Sequence, residues 1–303
     1  MRLLAMSTSV TPITHQLGTV GNESIINSED VRTPLGVRKV PKLSGNAIRH
    51  RMIRAPGAAY LVEALELKGQ LNRDTMNLLF HGGLKREKAQ LASLSRIADM
   101  QRLFPLFDLL GCCLPEDIVE GKLSALQAML VCAENMTRIK SVVPDDWKTG
   151  DGISNASSFV SRWQYVRGKL TKSAINEALP ELDKKGKPVD TDDSKMMPFA
   201  GTCVMPGAVW LHGFSIVGCT QLHYGCLIHC LRHWQSEGST IGGQSSRGHG
   251  VLDLQLQSCE WDQDESAALY ETHVGDNAKE CREFLLACYE APAKTSKVEK
   301  VKA

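Results

Sequence analysis

An α+β fold of ferredoxin-like or RNA-recognition order, enlarged by a long central insertion, is what this sequence predicts. Three observations carry that expectation. An early β-run leads to a capped helix, two β-runs around a Pro-Gly turn lead to a second helix, and a strictly alternating strand follows near the end. Strand, helix, strands, helix, strand is the order of that fold. At 303 residues and 43% apolar, the chain can bury one large core.

Each element has its own local signal. The stretch Ser7–Gln16 reads as a strand, and Gly18 to Pro41, polar and then basic with Pro34 and Gly36, as a projecting loop or hairpin. Ser44 is placed to cap a helix running through Leu67, with Pro56-Gly57 expected to kink or divide it. Helical stretches and a strand near Lys122–Cys132 follow, and Ala178–Met197 has the composition of a surface loop. The runs Phe199–Met205 and Ala208–Val217 flank Pro206-Gly207, which suits a type II turn. A helix from Thr220 to Ser236, a glycine-rich loop over Gly242–Gly250 and an alternating strand Leu252–Gln257 complete the order. The chain thus reads as one domain over 1–290, with a central insertion at about 68–198. The Lys-rich tail from Ala291 is expected to be disordered.

Composition narrows the function classes. No apolar run approaches the roughly 18 residues of a membrane span, so a soluble, cytoplasmic protein is expected. Ten scattered cysteines fit a reducing compartment better than a disulfide scaffold. The net charge of +1 hides an asymmetry. Residues 31–60 hold seven Lys/Arg and no acid, whereas residues 251–290 hold ten acids against Lys279 and Arg282. Such a basic segment suits a polyanion binder, although two solvated faces of opposite sign would read the same.

Two motifs carry candidate chemistry. In Gly242-Gly243-Gln244-Ser245-Ser246-Arg247-Gly248-His249-Gly250, glycines admit close approach of a phosphate and Ser245, Ser246 and Arg247 add donors. It is not a nucleotide-triphosphate loop, because His249 and Gly250 stand where Lys and Ser/Thr are needed. A simple turn into the last strand is the alternative. In Ser44-Gly45-Asn46 through Arg54, helical spacing puts His50, Arg51 and Arg54 on a polar arc. Arg49 then falls among Ile48, Met52 and Ile53, where it needs a phosphate, a carboxylate or a path to solvent.

Other features are weaker. Cys219, His223, Cys226, Cys230 and His233 lie along one helix face about 21 Å long, so they suit a core stripe and not a zinc site. Trp163 and Tyr165, between Arg162 and Arg167, share a face if this segment is a strand. That face packs into the core, the assignment preferred here, or offers bases a stacking platform.

Taken together, Ser44-Gly45-Asn46-x-x-Arg49-x-x-x-x-Arg54 and Gly242-Gly243-x-Ser245-x-Arg247-Gly248-x-Gly250 resemble the RAMP superfamily of CRISPR proteins. Pro12-Ile13-Thr14-His15, Phe107-x-x-x-Gly111 and Glu120-Gly121-Lys122-Leu123 look most like the backbone subunit of type IV effectors. The resemblance implies a modified RNA-recognition fold whose palm holds guide RNA, with a thumb hairpin at about 18–41 carrying Arg32, Arg38 and Lys39. It also implies that copies stack along the guide, together with other effector subunits and a complementary target nucleic acid. The implied RNA contacts are His15, Arg32, Arg38, Lys39, Ser44, Asn46, Arg49, His50, Arg51, Arg54, Gly242, Gly243, Gln244, Ser245, Ser246, Arg247 and His249. No enzyme activity, metal or cofactor is expected. The alternatives are a stand-alone RNA-binding module and a metal-dependent ribonuclease acting through Asp30, beside Glu29, as in related type III subunits.

Overall fold

Alternating burial along Arg2–Ser9, with Leu3, Ala5, Ser7 and Ser9 turned inward, makes the first strand. The computed structural model describes residues 1–21, 23–84, 94–115, 117–140, 142, 154–166 and 198–289. Its strands are β1 (Arg2–Ser9), β2 (Gln16–Val20), β3 (Glu23–Ile26), β4 (Ser28–Thr33), β5 (Gly36–Leu43), β6 (Cys112–Cys113) and β7 (Ile118–Val119). They continue as β8 (Leu123–Leu130), β9 (Val160–Val166), β10 (Pro198–Val204), β11 (Val209–Ile216) and β12 (Leu252–Leu256). The helices are α1 (Gly45–Ile48), α2 (Ala55–Ala64), α3 (Arg73–His81), α4 (Leu94–Leu103) and α5 (Pro105–Leu110). Then come α6 (Met136–Ile139), α7 (Gln221–Ser236), α8 (Gln263–Asp276) and α9 (Ala278–Ala287). The loop over Ala178–Met197, Arg167 and the tail from Ala291 lie outside the described residues.

The main sheet runs β12-β1-β11-β8-β5-β4, antiparallel at every step. Its four strands β1, β8, β11 and β12, separated by α1–α2 and by α7, make a strand–helix–strands–helix–strand unit, with β8 in the place expected of the run Phe199–Met205. The hairpin β4–β5 extends the sheet past β8. Because β8 belongs to the main sheet, the range 68–198 is two insertions, one before β8 and one between it and β11. The first strand also starts earlier than expected and ends at Ser9, before Pro12.

A second sheet, β2-β3-β10-β9, stands beside the first. The turn at Pro206-Gly207 forms, with Gly207 at φ 82°, yet the runs it joins enter different sheets. The Gly207 N–H donates to the Ser9 carbonyl at 2.7 Å, which directs β11 along β1. Among the described residues no helix is long and apolar enough to cross a membrane.

The helix after Ser44 is neither divided nor ended at Pro56. Instead a π-helical turn, Arg49–Arg54, precedes the proline. Pro56 has no N–H to close an α-turn, and its ring would press on the carbonyl four residues back. The wider turn relieves both problems, with the Ala55 N–H bonded to the His50 carbonyl. A π turn also rotates side chains by roughly a quarter turn over five residues relative to α spacing. That rotation corrects the expected arcs: Arg54, not Arg49, is the buried guanidinium, 6% exposed.

Arg54 clamps the end of α5. One terminal nitrogen donates to the carbonyls of Gly111 (2.8 Å) and Leu110 (3.4 Å). A cation there also meets the negative end of a short helix. Desolvation and the nearby Arg49 depress its pKa to about 10, which still leaves it charged at neutral pH. The mid-chain glycines form the same joint. A Cβ on Gly121 would lie 2.4 Å from the Gly111 nitrogen, and one on Gly111 2.6 Å from the Gly121 nitrogen. Next to them Asp108 accepts from Lys122 (2.5 Å) and from His223 Nε2 (2.8 Å). Thr220 caps α7 and donates its own N–H to His223 Nδ1.

This node makes stability pH-dependent. Burial works to raise the Asp108 pKa, but hydrogen bonds from His223 and Lys122 outweigh it and hold the carboxyl below its ordinary value. A depressed folded value contributes stability above the unfolded pKa, and that stability is lost as pH falls through the folded one. The urea midpoint should therefore drop as pH is lowered below about 4. Asp108→Asn should flatten that part of the profile. Parallel profiles for the two proteins would show that the node does not contribute.

Candidate nucleic-acid interface

The segment read as a thumb is two successive hairpins. β2–β3 joins the second sheet, whereas β4–β5 continues the main sheet to a tip at Pro34-Leu35. Arg32, Arg38 and Lys39 are all exposed on β4–β5, where Val31 faces Arg38 and Asp30 faces Lys39. Glu29 turns away from the surface, accepting from Arg138 and Gln127, each at 2.7 Å. Burial pushes its pKa up, but these hydrogen bonds bring it below the ordinary value. The two neighbouring acids are therefore separated, one committed to an ion pair and one opposite a lysine. Among the described residues no group of three or more His, Cys, Asp or Glu is arranged to hold a metal ion. The cysteine and histidine stripe on α7 is largely core: Cys226 and Cys230 are buried and His223 is bonded to Asp108.

Pro12-Ile13-Thr14-His15 ties the two sequence motifs together. The Gly243 N–H donates to the Thr14 carbonyl (2.7 Å), the Gly250 N–H to the Pro12 carbonyl (2.9 Å), and Thr14 Oγ1 meets His249 Nδ1 (2.7 Å). On the other side His15 Nε2 accepts from the Ser44 N–H (3.2 Å) and from Asn27 Nδ2 (3.1 Å). Accepting there makes His15 a neutral imidazole, and burial followed by the Lys42 charge lowers its pKa accordingly. Ser44 Oγ caps α1 by accepting from the Ala47 N–H. Gly45 is needed for packing: a Cβ there would sit 2.3 Å from the Ala125 carbonyl of β8. Asn46 and Arg51 are exposed, Arg49 is half-buried, and His50 stacks on His81 with centroids 5.9 Å apart.

The glycine-rich loop exposes Gly243, Ser245, Ser246 and Arg247. Its glycines differ in what they do. Gly242 (φ 82°) lies against the strand leading from β1, where a Cβ would be 2.6 Å from the Thr14 oxygen. Gly248 (φ 79°) has open space, and Gly243 meets only an ordinary contact, so Gly243 is not sterically required. Gly242→Ala should therefore destabilise by more than the roughly 1–2 kcal/mol of a left-handed backbone alone, and Gly248→Ala by about that amount. Urea unfolding of the two variants checks the order. Equal losses would mean that the contact with Thr14 is soft.

The largest departure from the sequence reading lies in β9. Trp163 and Tyr165 are half-buried and lie outside the core. The Tyr165 ring is nearly parallel to that of Trp163 (centroids 5.5 Å, planes 9° apart) and to that of Phe199 of β10 (5.1 Å, 15°). Gly201, opposite Trp163 in the register, lets the indole lie over the strand, since a Cβ there would be 2.6 Å from the ring. Arg247 reaches from the glycine loop to lie 3.5 Å above the Tyr165 ring and donates to Gln244 Oε1, whose residue sits at φ 63°. His249 meets Trp163 edge-on. Phe199 had no motif around it; only pairing across strands 34 positions apart brings it to Tyr165.

The chain matches no family model and no curated protein. Its fold is similar to that of a chain in a solved structure described as a Type IV-B CRISPR complex, with a TM-score of 0.54 and 13% sequence identity. The match covers 86% of this chain and 92% of that one.

Proposed function

We propose that this chain is a guide-RNA-binding backbone subunit of a CRISPR effector, of the RAMP superfamily and type IV kind. Copies would line up along the guide beside other effector subunits, support pairing with a target nucleic acid, and do no chemistry of their own. The observation that carries the reading is the extension of the main sheet by a hairpin bearing Arg32, Arg38 and Lys39, in a fold shared with a chain of a Type IV-B complex. The joining of Ser44 and the glycine loop through Thr14 and His15 supports it, because the exposed Asn46 beside Ser44 and the exposed Ser245, Ser246 and Arg247 of the loop are then held by one segment. Contacts of this kind go to phosphate and sugar, as a subunit that must accept any spacer requires. A nuclease acting through Asp30 has less behind it, since Asp30 faces Lys39 and Glu29 is held by Arg138.

Binding of unrelated single-stranded RNAs across a salt series tests this reading. Affinity should be nearly independent of sequence and fall log-linearly with salt, by about 0.7 per phosphate contacted. Absence of binding, or a strong preference for one sequence, would contradict it.

A further inference from the structure

We propose that Phe199, Tyr165 and Trp163 form a base-stacking track for single-stranded RNA, gated by Arg247. The proposal deepens the guide-binding reading and rests on it. Three aromatic rings in near-parallel planes, half-buried on one face of the second sheet and outside the core, present flat π surfaces that core packing does not use. One of these surfaces is already in contact with a guanidinium, at 3.5 Å over Tyr165. A guanidinium and a nucleobase are both flat and both lie over aromatic rings, so the slot Arg247 fills has the shape of a base slot.

The loop that carries Arg247 is suited to exchange. Arg247 is exposed, and the Gly248 that follows it, at positive φ, has open space around it. A base arriving on Tyr165 would replace the guanidinium, which then turns to the adjoining phosphate. Stacking suits a guide of variable spacer because every base offers a π face. The other face of the main sheet, where RNA-recognition folds commonly place such rings, instead carries Met6, Leu211 and Met129 in register, with Leu211 buried against Val131 and Ile139.

The test uses the full chain and two labelled RNAs of equal length, one intact and one with abasic residues throughout, measured by fluorescence anisotropy. The unmodified chain should bind the intact RNA more tightly. Tyr165→Leu and Phe199→Leu should each weaken binding of the intact RNA by about tenfold and leave the abasic RNA within about twofold. Tyr165→Phe, which keeps the ring and the fold, should bind like the unmodified chain. If both RNAs bind equally and Tyr165→Leu changes neither, the track is overturned while RNA binding stands. If the unmodified chain binds no RNA, the guide-binding reading itself falls.

Discussion

Arg54→Ala is expected to lower the free energy of unfolding by about 3–5 kcal/mol. The substitution removes a fully packed side chain and strands the Gly111 carbonyl, which it now reaches at 2.8 Å, inside the protein. Cavity formation accounts for most of that range and the lost charged hydrogen bond for the remainder. Arg54→Met separates the two, since it keeps most of the volume and should cost less than the alanine variant. Urea midpoints of the three proteins make the comparison. A loss under about 1 kcal/mol for Arg54→Ala would show that the clamp at the end of α5 is dispensable. The same measurement distinguishes Arg54 from Arg51, which is exposed three residues earlier and should tolerate alanine with little change in stability.

Replacing Arg32, Arg38 and Lys39 together with alanine is expected to have the largest effect on RNA. All three side chains are exposed on one hairpin, so stability should stay within about 0.5 kcal/mol. If each neutralises one phosphate, the slope of log affinity against log salt should fall by about 2. Affinity at low salt should drop on the order of a hundredfold, to the same extent for unrelated sequences. An unchanged slope would place the RNA elsewhere on the molecule.

What the sequence made legible follows from how local each signal is. Ser44 was readable as a cap because capping depends on a hydroxyl and the next few N–H groups, and the cap is present. The alternation of Leu252, Leu254 and Leu256 likewise marked β12. The order of elements predicted the fold class, but β8, read as part of the insertion, fills the core position expected of β10. Arg54 was misread because a helical wheel assumes a constant turn, and the proline at 56 widens the turn just before it. Pro206-Gly207 specified its turn but not which sheet each flanking run would join, a choice made by distant partners in β1 and β9. The aromatic ladder was hidden for the same reason. Its rings come from two strands, and its guanidinium comes from a loop more than 40 positions further on.

A contact between the acidic segment 251–290 of one copy and a basic face of the next is tested by reversing acids in that segment. Reversing Asp262 and Asp264 would remove the α8 cap and the Arg232 ion pair, confusing assembly with folding. Asp276 and Glu283 are exposed on α8 and α9 and offer cleaner sites for changing that face. Head-to-tail contact between identical subunits generates an open series and not a closed dimer, so the face matters only if copies meet there.

The central claim is that copies of this chain line up along one RNA, and the mass of the complex as a function of RNA length tests it most directly. Complexes reconstituted on RNAs of increasing length, sized by light scattering, should gain whole copies of the chain at a constant number of nucleotides per copy. A mass that stays at one copy per RNA, whatever its length, would contradict the claim.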